Sequence, residues 1–147
     1  MAKTTFTSTV EWTGTAVRSV AKIRSHEVVI DEPLGFGGQD QGPTPVELLL
    51  AGLGGCLNVL IAGLAPRYGV ELTHLTTAVE GDLDPDGIRE IDSAVRSGYL
   101  AIRYQIHVES RSPSSQVEAL IRHAERVCPV KDTLKGVPVT VVTGSHA

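Results

Sequence analysis

The chain has no run of lysine or arginine, no glycine-rich phosphate loop and no serine-centred nucleophile motif, and each absence removes a class of function. A formal net charge of −4 without a basic cluster argues against nucleic acid or an anionic membrane as partner. Without G-x-S-x-G, P-loop or G-x-G-x-x-G, neither a hydrolase elbow nor a nucleotide cradle is expected. The opening segment, MAKTTFTSTVEW, lacks the apolar stretch of a signal peptide, so a cytoplasmic location is expected. Cysteine is scarce as well: Cys56 and Cys128 are the only two, and in that compartment they would be kept reduced. No histidine stands at ligand spacing from either cysteine, which argues against zinc. His26, His74, His107, His123 and His146 are scattered and read as ordinary surface positions.

What is present suits one globular domain over residues 1–147, since 41% hydrophobic against 20% charged residues leaves enough apolar side chain for one core. The stretch GPTPVELLLAGLGGCLNVL, residues 42–60, organises the rest. Thr44 is a natural N-cap, Pro45 fits the first helical position, and Glu47 completes a T-x-x-E capping box. From Leu48 to Pro66 no side chain is charged, and leucines 48, 49, 50, 53, 57, 60 and 64 with Ile61 go round the whole circumference. Such a helix must be covered on all sides. Its length approaches a bilayer span, but the glycines at 52, 54, 55 and 63, together with Asn58 and the lack of a polybasic flank, favour a core helix in a water-soluble protein. The small residues Ala51, Gly52, Gly54 and Gly55 would let another backbone, expected to be a second helix, come close.

Taken in order, residues 4–12 alternate as a strand, and residues 17–23 and 27–30 follow, giving an antiparallel meander. Residues 31–42, with Pro33 and four glycines, form a loop long enough to be functional, in which Phe36 could cover a pocket. Pro66 and Gly69 end the central helix. Strand alternation resumes over residues 75–83, and DLDPDG at 82–87 makes a solvated turn, since it lacks the glutamate and helices of a calcium loop. Residues 99–109 alternate most cleanly, with Leu100, Ile102, Tyr104, Ile106 and Val108 on one face. Ser112-Pro113 caps an amphipathic helix whose stripe is Val117, Leu120, Ile121, Ala124, Val127 and Cys128. Pro129 either ends that helix or opens a new turn over residues 130–135, and in the second case Cys128 is the N-cap of that turn. Residues 137–142 form a last strand. The order is α+β rather than a βαβ repeat.

A free cysteine is usually a small buried hydrophobe. Here both lie on helix faces seeking the same core, and with other motifs absent, redox chemistry is what remains.

Two segments carry a resemblance: P-T-P-V-E-L-L-L-A-G-L-G-G-C, ending at Cys56, and C-P-V-K-D-T-L, beginning at Cys128. Together with W-T-G-T-A-V-R and the G-F-G-G loop, they make the chain similar, over nearly its whole length, to the OsmC/Ohr family. The resemblance implies an intertwined homodimer in which sheets from both chains wrap the central helices. It also implies a thiol-dependent hydroperoxide reductase that takes alkyl or fatty-acid hydroperoxides. Cys56 would be the peroxidatic thiolate and Cys128 the resolving thiol that closes a disulfide. No bound cofactor is implied. An external dithiol, dihydrolipoyl in parts of the family, would restore both thiols.

The chain departs from better-characterised members at one place. There a glutamate that orients an activating arginine directly follows the helix-start proline, whereas Val46 stands here and Glu47 lies one place on, turned by about 100° on a helix. The capping box therefore accounts for Glu47 at least as well as catalysis does. The G-F-G-G-Q-D-Q loop has no arginine, leaving Arg18, then Arg24, as the activating cation. A second reading from another class stays open: a small-ligand-binding or redox-sensing protein on the same fold.

Overall fold

The computed structural model describes residues 2–143, which fall into two compact units divided between Leu49 and Leu50. The first unit holds a three-stranded antiparallel meander, β1 (Thr9–Trp12), β2 (Ser19–Ile23) and β3 (His26–Ile30). Val10 pairs with Ala21, and Val20 with Val29. The first strand is shorter than its alternation suggests. Its turn is closed by the Trp12 indole N–H, which donates to the Ala16 carbonyl at 3.0 Å. The loop after β3 contains a 3-10 turn, Leu34–Phe36, with Phe36 exposed. The loop is organised by Asp31, whose buried carboxylate accepts the backbone N–H groups of Glu32, Gln39 and Gln41. Gly42 lets the chain pass β3, since a side chain there would overlap the Val29 carbonyl.

Helix α1, Pro45–Leu64, starts at the expected capping box. The Thr44 N–H donates to Glu47 Oε1 at 3.1 Å and the Glu47 N–H to Thr44 Oγ1 at 3.2 Å, so two otherwise unpaired helix donors are satisfied. A 3-10 turn, Ala65–Tyr68, extends α1 and ends at Gly69 in the left-handed conformation. By length and composition Pro45–Tyr68 could cross a membrane. Spacing of four residues puts Leu53, Leu57 and Ile61 on one stripe, and this stripe is fully buried, while Val59 is 72% exposed. One chain thus covers only part of the circumference.

In the second unit β4 (Leu72–Asp82) pairs antiparallel with β5 (Ala101–Ser110), and β6 (Val139–Val141) runs parallel on the other side of β5. Ile102, Tyr104, Ile106 and Val108 present one buried face, as their alternation requires. Against it lie the α1 stripe and Val117, Leu120, Ile121 and Ala124 of the amphipathic helix α3, Ser114–Val127. Between β4 and β5 the acidic turn contains a one-turn helix, α2 (Pro85–Ile88), capped by Asp84. The first helix that follows β5 is capped differently from expectation. Ser112 Oγ accepts the Glu71 N–H and donates to the Gly69 carbonyl, while Pro113 occupies the N-cap position without a side-chain bond. The small-residue patch of α1 also differs: at Gly54 a strand lies close, because a Cβ would stand 3.1 Å from Val79 Cγ2, and the nearest described neighbours there, Val79 and Thr77, belong to β4 rather than to a helix.

Candidate functional site

Cys56 lies three residues after Leu53 on α1, so its side chain flanks the buried stripe and remains half-exposed at the edge of the core. Cys128 is reached by the other route left open in the sequence. Helix α3 stops at Val127, and α4 (Pro129–Thr133) begins with Cys128 as its N-cap. Pro129 at the first helical position needs no N–H donor there, and Cys128 Sγ accepts the Lys131 N–H at 3.4 Å. These two placements, seventy-two residues apart, bring the sulfurs together. Cys128 Sγ–H donates to Cys56 Sγ at 3.2 Å, and Cys128 is 1% exposed.

Burial pushes the Cys128 thiol up, and Cys56 beside it adds to that, against the lowering effect of the Lys131 and Val130 N–H groups. Cys128 therefore rests as a thiol, while Cys56 has the solvent access. Chemically, two reduced sulfurs held this way can pass from a dithiol to a disulfide with small movement. An S–S bond is about 2.05 Å, so the gap closes by about 1.2 Å from 3.2 Å.

Behind Cys128 is a polar chain that the sequence did not single out. The Lys131 ammonium donates to Tyr104 Oη at 3.1 Å and sits 5.5 Å from the centre of that ring. Tyr104 in turn donates its hydroxyl proton to Glu125 Oε1 at 2.7 Å. Burial first, then Glu125, holds the Tyr104 phenol far above its ordinary range, so it stays a donor. A groove of about 300 Å³ has Glu125, Cys128 and Lys131 in its wall.

In the first unit Arg18 and Glu47 do not bind each other. Glu47 is engaged with Thr44, whose side-chain and then backbone hydrogen bonds lower its carboxyl. Arg18 Nη2 donates to Gln39 Oε1, and Arg18 Nε is buried with no acceptor among the described residues. Gln39 went unnoticed in the sequence because a glutamine in a glycine-rich loop has no periodicity, and its partner is twenty-one residues away. His123 is not merely on the surface: its Nδ1 meets Tyr68 Oη at 2.8 Å and ties α3 to the end of α1. Among the described residues no group of three histidine, cysteine, aspartate or glutamate side chains could hold a metal ion.

The family model described as "OsmC-like protein" matches residues 38–142, well over half of the chain and both cysteines. No curated protein matches the sequence. Among solved structures, the OsmC-like protein of Mycoplasma pneumoniae superimposes with a TM-score of 0.84 at 17% identity, over 99% of this chain and 100% of that one. An organic hydroperoxide resistance protein from Legionella pneumophila gives 0.63 at 19% identity, over 97% of this chain and 100% of the other. One from Elizabethkingia anophelis gives 0.64 at 19%, over 97% and 99%. At such identities the likeness is one of fold.

Proposed function

Because the chain belongs to the OsmC-like protein family, with fold relatives named as organic hydroperoxide resistance proteins, we propose that it reduces organic hydroperoxides with Cys56 and Cys128. The observation that carries this reading is the 3.2 Å approach of the two sulfurs, one half-exposed and one buried. Cys56 as thiolate attacks the terminal peroxide oxygen, the O–O bond breaks, and the alcohol leaves after taking a proton. Cys56 is then a sulfenic acid, which Cys128 converts to the disulfide with release of water. An external dithiol, dihydrolipoyl by family resemblance, returns both cysteines to thiols by exchange. The apolar core against which Cys56 packs favours alkyl or fatty-acid hydroperoxides over hydrogen peroxide.

A mid-helix cysteine gains little from the helix dipole, so its thiolate needs a cation. Arg18 is the residue we assign to that task. Its buried Nε has no acceptor among the described residues, and an unmet buried donor costs about 1–3 kcal/mol unless an anion or oxygen takes it. Gln39 orients Arg18 in place of the family's glutamate, and Glu47 serves the helix start. The working form is a homodimer in a reducing, cytoplasmic setting. The exposed Val59 of α1 supplies apolar surface that a second copy would cover.

The cysteine variants test the assignment. Cys56→Ser should abolish consumption of cumene hydroperoxide, and Cys128→Ser should permit one oxidation to a sulfenic acid trappable by dimedone. Equal residual turnover in both variants would remove Cys56 from the role of attacking sulfur.

A further inference from the structure

We propose that Lys131 is a positioning residue for closure of the Cys56–Cys128 disulfide, acting through a latch in which its ammonium is held by Tyr104, itself anchored on Glu125, while its backbone N–H holds the Cys128 sulfur. The inference deepens the peroxidase reading and rests on it for the peroxide step alone.

The geometry joins three elements at one side chain. Lys131 belongs to α4, a helix of one turn that starts at Cys128, and so short a helix has little stability of its own. Its side chain reaches β5, where Tyr104 is 1% exposed and rigidly packed, and donates to the phenol oxygen at 3.1 Å. Tyr104 is anchored in turn on Glu125 of α3 at 2.7 Å. The lysine is therefore fixed at its far end by a chain of charged and hydroxyl groups, each bond charge-assisted. At its near end the same residue presents its N–H to Cys128 Sγ at 3.4 Å. Fixing the ammonium fixes the backbone of α4, and through it the sulfur that faces Cys56 at 3.2 Å. The hydrogen bonds of the Tyr104 hydroxyl go to Glu125 and Lys131, so the latch reaches Cys128 through the Lys131 backbone.

The step that depends on the latch is balanced without any further reagent. The Cys128 sulfur forms a bond to the Cys56 sulfur, the S–O bond of the sulfenic acid breaks, and the departing hydroxyl leaves as water with the Cys128 proton. Cys128 is oxidised as the Cys56 sulfur is reduced. A sulfur displaced by loosening of α4 must search for its partner, and that lost orientation appears as a slower closure.

The test separates the two chemical steps. Reduced protein is mixed with one equivalent of cumene hydroperoxide, and Cys56 oxidation and disulfide closure are followed by quench and mass, with dimedone competing for the sulfenic acid. Lys131→Met keeps the aliphatic stem and removes the donor. It should leave Cys56 oxidation unchanged and slow closure roughly tenfold, the effect of one lost charge-assisted hydrogen bond. Tyr104→Phe, which keeps the buried ring, should do the same. Lys131→Arg, which can still donate to the phenol, should restore closure to near the wild-type rate. Unchanged closure in Lys131→Met, or an arginine variant as slow as the methionine one, would overturn the latch, as would equal slowing of both steps. Diamide supplies a peroxide-independent arm. Cys56 adds to its N=N bond, and Cys128 then displaces the hydrazine, which carries away the Cys128 proton. A wild-type protein inert to cumene hydroperoxide would defeat the peroxidase reading, and the same three variants would still judge the latch by their closure rates with diamide.

Discussion

Asp31 shows how a single buried carboxylate organises the loop before the central helix. Burial alone would raise its carboxyl, but the N–H groups of Glu32, Gln41 and Gln39, with the charge on Arg18, more than offset this and leave it below the usual value. A lowered folded-state value means that the unfolded chain binds the proton first. The stabilisation is therefore present above about pH 4 and is lost as pH falls through the folded-state value. Asp31→Asn should give a flatter dependence of the urea midpoint on acidification than wild type, and parallel curves would contradict this. Arg18 and Glu47 part company at the same scale. Arg18→Ala should slow alkylation of Cys56 by iodoacetamide at neutral pH, while Glu47→Gln, which can complete a capping box, should change it little. A large effect from Glu47→Gln with none from Arg18→Ala would reverse the roles. The capping box was legible because it is a set of residue types at a fixed spacing, and the pairing of the two cysteines was legible only through the family resemblance. Gln39, Tyr104 and Lys131 were not, because Tyr104 reads as one more apolar position of a strand and its hydroxyl partners lie on two other helices.

At the scale of elements, alternation located β5 and its buried face, and the 3.6-residue period located α3, since both patterns follow from one wet and one dry side. The parallel pairing of β6 with β5 had no signal in a three-residue strand, where register depends on the whole sheet. The helix α1 was recognised from its cap, and Thr44→Ala should cost about 1 kcal/mol of unfolding free energy by denaturant titration. A loss indistinguishable from zero would mean that the Pro45 start alone suffices. Its glycines divide into two kinds. Gly54→Leu must displace Val79 and should cost about 1–3 kcal/mol within one chain. A Cβ at Gly55 would meet nothing within 4 Å among the described residues, so Gly55→Leu should spare the fold of the chain and disturb assembly. A Gly55→Leu protein that assembles like wild type would remove that glycine from the interface.

For the whole molecule, the central helix poses the question of what covers it. Its buried stripe of Leu53, Leu57 and Ile61 is matched by exposed Leu49 and Val59, and in the proposed homodimer a second copy would cover that open side. Sedimentation at micromolar concentration should find a dimer, and a folded monomer there would refute the assembly. The central claim is that the paired sulfurs of Cys56 and Cys128 perform peroxide reduction. It is tested most directly by adding one equivalent of cumene hydroperoxide to the fully reduced protein and following free thiols and intact mass through the first turnover. The account predicts rapid loss of both thiols together, with a mass lower by two hydrogens and a peptide map joining Cys56 to Cys128. Two persistent thiols beside unconsumed peroxide would contradict it.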